Sequence, residues 1–295
     1  MNWQGILREI DLADHTSLRV GGPARHFSQP GGLPELERTI RIAEEQGLPV
    51  VVLGGGSNVV FSDSGYSGLV IHTIQLRGER FEGTRITAAA GERLSALAWR
   101  ACRAGLSGLE WACGIPGTIG GAVVMNAGTR DGEIADSLQR VVVLGSGDRR
   151  ELTLAELDLG YRTSAILTGA LRGVVVEAEF ELMAADPQRC IEMARQQLAA
   201  RLERLPIGAS AGSIFRNPIT GPTAGVLLDR AGCKGMSVGD VRVSNQHANI
   251  IVNDGRENAS DVLRLIELMK TRVRGAFGID LEEEVVILGG EPRGT

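Results

Sequence analysis

The stretch SAGSIFRNP, residues 210–218, sets a hydroxyl, an aromatic ring, a cation and an amide side by side. Ser213 can donate a proton, Arg216 can hold an anion, and Asn217 can both donate and accept hydrogen bonds. The neighbouring sequence contains no His or Asp that would activate a serine for acyl transfer, so the pattern does not indicate a serine nucleophile. A lone serine more often closes a turn, and the residues alone leave that alternative open.

Two glycine-rich stretches could bring the backbone close to a ligand. The first, GGGSN at residues 54–58, offers consecutive backbone N–H groups with no Cβ to obstruct an anion, which suits a pyrophosphate. A bare triple glycine is also typical of a flexible turn. Neither GxGxxG with a following acid nor GxxxxGK[ST] is present, so Rossmann and P-loop sites are disfavoured. The candidate ligand-binding residues of this stretch are Gly54, Gly55, Gly56, Ser57 and Asn58.

The second stretch, GIPGTIGGAVVMNAG at residues 114–128, is less easily explained as a linker. Flexible linkers are rich in small polar residues rather than Ile and Val, so an ordered backbone pressed against a flat or bulky ligand is the better interpretation. Two such stretches in neighbouring α/β units suggest one large dinucleotide held between them. The candidate residues here are Gly114, Ile115, Pro116, Gly117, Thr118, Gly120, Gly121 and Ala122.

Composition narrows the class of protein. The 295 residues exceed the usual size of one domain, and glycine, at 40 residues, is about twice as frequent as average. The formal net charge is -5 with no basic block, which argues against nucleic acid or an anionic membrane as partner. The first residues are acidic and lack an apolar core, and no run reaches the roughly 18 apolar residues of a membrane span, so we expect a cytoplasmic protein and take a monomer as the working expectation.

Cysteine and histidine spacing gives no sign of a metal. Cys102, Cys113, Cys190 and Cys233 show no paired spacing and are interpreted as buried thiols in a reducing compartment. The four histidines form no HxxH or HxxxH pair, so we expect no metal.

Helices and strands that could position these residues alternate along the chain. Helical spacing over residues 34–46 is followed by a buried strand, Val50–Leu53, that leads directly into the first glycine stretch. Open α/β sheets commonly bind ligands at such a strand end. A strand near residues 86–88, an apolar helical stripe from 94 to 102 and strands at 141–144 and 173–182 surround the second stretch.

The C-terminal third follows a predicted hinge helix. Asp186 and Pro187 have the types of an N-cap and a first helical residue, and the apolar spacing continues to about Arg204. After SAGSIFRNP we expect a strand at 249–252, a helix at 261–277 and a last strand at 284–288.

Taken in order, seven stretches resemble the UDP-N-acetylenolpyruvoylglucosamine reductase family and span nearly the whole chain. They are HTSLRVGGPA, LGGGSN, GLEWACGIPGTIGGAVVMNAG, GYRTS, SAGSIFRNP, AGCKGMSVGDVRVSNQHANIIVN and LEEEVVILG. The resemblance implies an α/β (α+β) fold with a two-subdomain FAD-binding module of the vanillyl-alcohol-oxidase/PCMH type, residues 1–83 and 84–185. A C-terminal α/β substrate-binding domain at 186–295 completes it.

The chain departs from the family pattern at three positions. His15 stands where Asn is usual, Arg216 replaces a Lys, and Glu283 replaces a Pro. Only a short segment follows the Tyr-Arg motif, which resembles the shorter subtype that lacks a tyrosine-bearing substrate loop. The Arg216 departure could alter how the substrate diphosphate is held.

The resemblance implies FAD, with NADPH as hydride donor, and reduction of UDP-N-acetylglucosamine enolpyruvate to UDP-N-acetylmuramate in peptidoglycan synthesis. Hydride added to the vinyl carbon drives an electron pair toward the carbon that bears the carboxylate. That carbon then requires an electrostatic partner and a proton.

By resemblance, three residues carry this chemistry. Arg162 would hold the carboxylate as charge builds, Ser213 would donate the proton, and Glu284 would orient Ser213 or a water. The residues alone favour a surface arginine in a polar turn, and only the resemblance reverses that interpretation. Glu284 is expected to open the last strand, while Glu282 and Glu283 are interpreted as solvated neighbours.

Five further residues match substrate-holding positions or lie beside them: Tyr161, Arg216, Asn217, Lys234 and His247. For His247 a purely structural histidine is an equal alternative. One other function stays open, an oxidase of the same flavin superfamily, for which His15 or Cys113 could attach the flavin. A nucleotide-sugar sensor without catalysis is disfavoured, because Arg162, Ser213 and Glu284 are all present.

Overall fold

The computed structural model describes residues 3–145, 147–255 and 258–289. The helices are α1 Leu33–Glu45, α2 Leu94–Arg103, α3 Ile119–Val124, α4 Leu154–Leu157, α5 Pro187–Leu202, α6 Ala224–Arg230 and α7 Ala259–Phe277. Short 3₁₀ turns cover Leu12–His15, Thr73–Gln75, Glu110–Ala112 and Ile134–Asp136.

Strands are distributed along the whole described chain. In chain order they are β1 Ile6–Leu7, β2 Ile10–Asp11, β3 Pro23–Ser28, β4 Val50–Leu53, β5 Val59–Phe61, β6 Tyr66–His72, β7 Glu79–Glu82, β8 Arg85–Ala89, β9 Leu106–Ser107, β10 Gly128–Thr129, β11 Gly132–Glu133, β12 Leu138–Leu144, β13 Arg149–Thr153, β14 Val174–Glu181, β15 Met183–Ala184, β16 Ala209–Ser213, β17 Ser237–Val238, β18 Val241–Val243, β19 Ile250–Asn253 and β20 Val286–Leu288.

The chain divides into two compact units, each built from separated segments. The first comprises Met1–Leu7, Phe27–Gly55 and Gly68–Arg201, and the second Arg8–His26, Gly56–Ser67 and Leu202–Thr295. The prediction of three continuous domains differs from this division because early segments complete the C-terminal core. The three-domain organisation stays a prediction, since two compact units do not decide whether the first is further subdivided.

An antiparallel sheet forms the centre of the first unit, in the order β13-β12-β14-β8-β7. The second half of β12 and the start of β14 are apolar on both faces because each face is covered there. On one side Val141, Val143 and Val175 join the core formed with α2 and α3, and on the other Val142 and Val174 pack with α1 and β6. Continuous apolar runs are what such doubly covered strands require.

The predicted helix–strand–glycine unit is present in the first unit, but the prediction that its strand is buried is wrong, because Val50 and Val52 are exposed. Helix α1 starts one residue earlier than expected, with Pro34 in its first turn, and β4 pairs in parallel with β6, Val50 lying opposite Leu69. The predicted cap of α5 is also confirmed, since the Asp186 carboxylate accepts a hydrogen bond from the Arg189 N–H at 3.0 Å.

The second unit contains a four-stranded sheet in the order β16-β19-β18-β17 and a parallel pair, β20 with β5. Helix α7 packs on it through Val262, Leu265, Ile266, Met269 and Val273, which recur at helical spacing and are buried. Leu18 and Val20 lie in the same core, and the Leu18 carbonyl oxygen accepts a hydrogen bond from the Asn253 side chain at 2.9 Å. This is why the segment 8–26 belongs with the C-terminal residues.

Among the helices in the described part of the chain, none has both the length and the apolar character required to cross a bilayer.

Candidate active site

The two glycine stretches meet within the first unit. A Cβ built on Gly54 would lie 2.4 Å from Thr118 Oγ1, and one on Gly55 would lie 2.9 Å from the Gly117 Cα. Such distances exclude any side chain at either position. The close approach that glycine permits here is therefore between the two stretches themselves, and it fixes their backbones against each other.

Helix α3 rises from the second stretch. Thr118 caps it by accepting a hydrogen bond from the Gly121 N–H, and Gly120 fits against Ala90, whose Cβ would be 3.0 Å from an added Cβ. Gly121 is exposed and has no atom closer than 3.6 Å to an added Cβ, so its open face remains accessible to a ligand. The predicted ordered backbone at 114–128 is thus confirmed.

The remainder of the first glycine stretch lies in the second unit. A Cβ on Gly56 would fall 2.1 Å from the His15 carbonyl oxygen, so this position also excludes a side chain. The Ser17 hydroxyl bonds the carbonyl oxygens of Gly56, at 3.2 Å, and Ser210, at 2.6 Å. Ser17 therefore connects the glycine stretch with the strand that carries SAGS.

These contacts fit an FAD group on the residues expected to bind it. Gly55 packs directly on the Gly117 backbone, Gly54 packs on the Thr118 hydroxyl, and Gly121 offers an open neighbouring face. Backbone that can approach a ligand closely is what a pyrophosphate and a flat ring system require. A side chain at Gly54 or Gly55 would not fit, so neither position can fill the space of the ligand with a side chain of its own.

Arg162 occupies a strained position in the first unit. Gly160 and Thr163 exchange two backbone hydrogen bonds, 3.1 and 3.2 Å long, around the pair Tyr161 and Arg162. Arg162 has a φ of 55°, in the left-handed region. A positive φ at the third residue of a turn is normally supplied by glycine, so arginine costs about 1 kcal/mol or more here.

Neighbouring carbonyl oxygens and a ring hold the Arg162 guanidinium. Nη1 donates to the Asn126 carbonyl oxygen at 3.2 Å and Nη2 donates to that of Gly128. The guanidinium carbon also lies 5.3 Å from the centroid of the Tyr161 ring, and Tyr161 is half exposed. Arg162 is thus an oriented cation rather than a freely moving surface side chain.

Ser213 ends β16 beside a bulge. Ser210 lies opposite Val252 and Ser213 opposite Ile250, so β16 contains one residue more than its partner, and Gly212 takes a φ of 75°. Bulges re-aim the side chains that follow them. Ser213 is partly exposed, as a proton donor to a ligand must be.

Glu284 lies across from the residue that follows Ser213. The Ile214 carbonyl oxygen accepts hydrogen bonds from the N–H groups of both Glu284, at 2.8 Å, and Val285, at 3.4 Å. The prediction that Glu284 opens the last strand is therefore wrong, because these two residues bond Ile214 and β20 begins at Val286. Glu284 instead occupies an irregular position beside the serine strand.

The adjacent acids differ from Glu284. Glu282 is exposed, as expected. Glu283 is not simply solvated, because its carboxylate pairs with Lys270 on α7 at 3.1 Å and both side chains are largely shielded. This ion pair gives the Glu that replaces the family's Pro a structural partner.

Arg216 and Asn217 have different surroundings. The Arg216 backbone N–H donates to the Glu282 carbonyl oxygen at 2.9 Å, while its Nε is buried and no described residue accepts a hydrogen bond from it. A buried donor of this kind calls for an acceptor from outside the chain or from water. Asn217 is exposed, and its Oδ1 accepts a hydrogen bond from the Ala224 N–H at 3.1 Å, at the start of α6.

The remaining predicted substrate residues have structural partners. Lys234 pairs with Asp229 at 2.8 Å on the surface. The His247 Nδ1 accepts a hydrogen bond from the Asn249 N–H at 3.3 Å, which favours a structural role for that nitrogen. For both residues, contact with the substrate remains a prediction.

The alternative of a covalently attached flavin gains no support at Cys113. All four cysteines are buried and none forms a disulfide. A hydrogen bond with the Cys102 thiol, together with burial, raises the pKa of Cys113, and a protonated buried thiol is a poor nucleophile.

Within residues 3–145, 147–255 and 258–289 no group of three or more His, Cys, Asp or Glu could hold a metal ion.

Two asparagines that position the site were not among the predicted residues. Asn249 is buried and bonds both the N–H of Phe215, at 2.9 Å, and its carbonyl oxygen, at 2.8 Å. Asn126 bonds the Arg162 turn. Asn126 lies inside the resembling stretch and Asn249 follows His247, but no spacing rule marks a single asparagine as a buried support.

Comparisons with known proteins agree with this arrangement. A family model of the UDP-N-acetylenolpyruvoylglucosamine reductase C-terminal domain matches residues 203–288, and one of an FAD binding domain matches residues 24–153. The UDP-N-acetylenolpyruvoylglucosamine reductase of Synechococcus sp. (strain JA-3-3Ab) is 44% identical over 284 residues, 95% of this chain and 90% of that protein. The one of Gloeobacter violaceus is 43% identical over 284 residues, 95% of each.

A solved structure gives the same result. The crystal structure of UDP-N-acetylenolpyruvylglucosamine reductase from Thermus caldophilus is 37% identical and superposes with a TM-score of 0.82, covering 96% of this chain and 98% of that chain.

Proposed function

Since this chain belongs to the UDP-N-acetylenolpyruvoylglucosamine reductase family, we propose that it reduces UDP-N-acetylglucosamine enolpyruvate to UDP-N-acetylmuramate for peptidoglycan synthesis, with FAD as cofactor and NADPH as hydride donor. The observation that carries the proposal is the 44% identity with a reductase of that name over 95% of the chain. The fold class, a mixed α/β chain with an FAD-binding module, agrees with it.

The residues proposed to hold FAD are those of the two glycine stretches. Their backbones pack directly at Gly55 and Gly117, and Gly121 keeps an open face. When bound there, FAD supplies the hydride that NADPH has delivered. The chain's own residues then have to orient the substrate carboxylate, stabilise charge and deliver a proton.

Arg162 is proposed to hold the substrate carboxylate as negative charge develops. Its left-handed backbone supports this role, because strained non-glycine residues persist where function requires them. Its guanidinium is oriented by two carbonyl oxygens, so little reorganisation is needed when charge appears.

Ser213 is proposed to protonate the carbanion-like carbon, with Glu284 orienting Ser213 or a water. A hydroxyl is a weak acid, but such a carbon is a strong enough base to take its proton. The support is the backbone connection: the residue after Ser213 accepts the hydrogen bond from the Glu284 N–H at 2.8 Å.

Arg216 is proposed to hold the substrate diphosphate, since its buried Nε has no acceptor among the described residues. Tyr161, Asn217, Lys234 and His247 are proposed as further substrate contacts on the resemblance alone. We further propose a cytoplasmic monomer without a nucleic-acid or membrane partner; the net charge of -5 and the lack of a basic block in the sequence support the last part.

Visible absorption of the purified protein tests the function. A flavin band that NADPH bleaches anaerobically and that the enolpyruvyl substrate restores is the expected result. A band restored only by oxygen would indicate an oxidase instead, and no band after incubation with FAD would overturn the proposal.

Substitution of Ser213 tests the proton donor. Ser213→Ala is expected to leave flavin reduction by NADPH intact and to slow substrate reduction by about 10²- to 10⁴-fold. Ser210→Ala, on the same strand, is the matched control. Unchanged turnover in Ser213→Ala would show that another group supplies the proton.

A further inference from the structure

Asn126 is a fully buried polar residue whose side chain joins two segments. Its Nδ2 donates to the Gly160 carbonyl oxygen at 3.0 Å, and its Oδ1 accepts from the Ala135 N–H at 3.1 Å. Gly160 is the first residue of the turn that carries Arg162. The amide therefore supports that turn directly.

The backbone of Asn126 is fixed by helix α3. Asn126 takes a φ of 41°, its N–H bonds the Val123 carbonyl oxygen at 3.1 Å, and the Ala127 N–H bonds that of Ala122 at 2.8 Å. This is a Schellman ending, in which a left-handed residue terminates a helix. Asn126 thus ends the helix that begins in the second glycine stretch.

Arg162 binds the same helix end from its own side. Its Nη1 donates to the Asn126 carbonyl oxygen at 3.2 Å. The Ser164 hydroxyl, just past the turn, donates to the Val124 carbonyl oxygen at 2.7 Å. One residue, Asn126, therefore contacts both the backbone of the turn, through its amide, and the guanidinium, through its carbonyl oxygen.

We propose that Asn126 is a positioning residue, whose side-chain amide holds the Gly160–Thr163 turn so that the Arg162 guanidinium keeps its orientation; the role of Arg162 itself rests on the proposed function. A left-handed arginine persists only where its surroundings determine its conformation. The hydrogen bond from Asn126 to Gly160 is one of the contacts that hold this conformation. Removing it frees the turn without removing any group proposed to touch substrate or cofactor.

Asn126→Gly isolates the amide. Glycine accepts the left-handed backbone and keeps the carbonyl oxygen that Arg162 bonds, while the side chain and its hydrogen bonds to Gly160 and Ala135 are lost. The matched control is Asp158→Gly, because Asp158 is exposed, has a φ of 45° and lies two residues before Gly160. A second variant, Asn126→Asp, keeps the acceptor for Ala135 but replaces the donor to Gly160.

Hydrogen exchange tests the positioning without cofactor or turnover. In Asn126→Gly and Asn126→Asp we expect amide exchange in the peptide around Thr163 to rise about tenfold or more, while exchange in β14 stays unchanged. Asp158→Gly should leave both unchanged. Exchange around Thr163 that stays at the wild-type rate in both Asn126 variants would overturn the proposal.

The two half-reactions give a second readout. In Asn126→Gly, reduction of bound flavin by NADPH should stay within about twofold, whereas transfer to the enolpyruvyl substrate should fall about 10- to 100-fold. In the Arg162→Ala background, Asn126→Gly should lower the rate of transfer to the enolpyruvyl substrate by less than about twofold, because the residue that Asn126 positions is already gone. Equal losses in both backgrounds would show that Asn126 acts independently of Arg162.

The experiments distinguish failure of the proposed function from failure of the positioning role of Asn126. A wild-type protein that never reduces the enolpyruvyl substrate refutes the proposed function, while the exchange result still decides whether Asn126 holds the turn. A wild-type enzyme that turns over and depends on Arg162, with Asn126→Gly unaffected in both assays, refutes the positioning role alone.

Discussion

The Asn58 side chain donates a hydrogen bond to the backbone carbonyl oxygen of Glu284 at 3.2 Å. The Val286 N–H returns a bond to the Asn58 carbonyl oxygen at 3.0 Å. A residue of the first glycine stretch thus fixes the backbone on both sides of Val285 and next to a proposed catalytic acid. The proposed cofactor-binding and catalytic positions are coupled through one asparagine.

Replacing Asn58 with Ala should therefore affect both properties. We expect unfolding free energy to fall by about 1 kcal/mol, through the lost hydrogen bond, and flavin to bind more weakly. Urea unfolding and flavin titration measure the two effects. Asn245→Ala, at an exposed asparagine of the same unit, should change stability by less than about 0.5 kcal/mol; equal effects of the two variants would contradict the coupling.

Arg162 allows backbone strain to be separated from catalysis. Arg162→Ala and Arg162→Gly both remove the guanidinium, and both should lose substrate reduction. At a φ of 55°, however, the glycine variant should be more stable than the alanine variant by about 1 kcal/mol. At an ordinary position the order is reversed, so thermal unfolding of the pair that finds alanine more stable would show that the turn is not strained.

Asn249 should be among the most sensitive positions of the second unit. Asn249→Ala leaves the N–H and carbonyl oxygen of Phe215 buried without their side-chain partner. We expect a loss of about 2–4 kcal/mol in unfolding free energy, measured by denaturant titration. A loss below about 1 kcal/mol would mean that water or a shifted backbone replaces both bonds.

His15 should make the protein sensitive to mild acid. Burial lowers its pKa below 6.5, against the opposing effect of Asp14 and Asp11. The unfolded chain then binds the proton more readily, so stability is lost as pH falls below about 6.5 and the loss is complete below the folded-state pKa. Unfolding free energy between pH 7 and 5 should fall less steeply in His15→Asn, and parallel curves would refute this.

Cys190 should make the stability of the protein depend on pH in the alkaline range. Burial, with the nearby Glu110 carboxylate, raises its pKa from 9.0 to about 11. The folded protein therefore keeps a proton that the unfolded chain loses, and stability declines as pH rises from 9 to 11. Cys190→Ala should show a shallower decline over that range, whatever its stability at pH 7; an unchanged slope would contradict the assignment.

Regular periodicity made much of this fold predictable. The apolar spacing of α7 and the alternation of β14 depend on local burial, which sequence records directly. The assignment of residues 8–26 to the C-terminal core was not predictable in this way, because it depends on contacts between residues far apart in the chain, such as Leu18 and Asn253. Patterns within a short window contain no information about such partners.

The candidate site was likewise predictable only in part. The glycines signalled close backbone approach, although at Gly54 and Gly55 the neighbour is the second glycine stretch. A left-handed turn residue is usually glycine, so the sequence did not indicate that Arg162 would adopt a φ of 55° in a tight turn. The irregular bonding at Ile214, which moves the start of β20 past Glu284, likewise depends on a tertiary hydrogen bond.

The interleaved chain of the second unit has a consequence for synthesis on the ribosome. Leu18, Val20 and Val60 belong to a core whose other members lie beyond residue 202. Because translation proceeds from the N-terminus, these apolar side chains leave the ribosome long before their partners exist. This core is therefore completed only when the last strand, β20, emerges to pair with β5, at the end of translation.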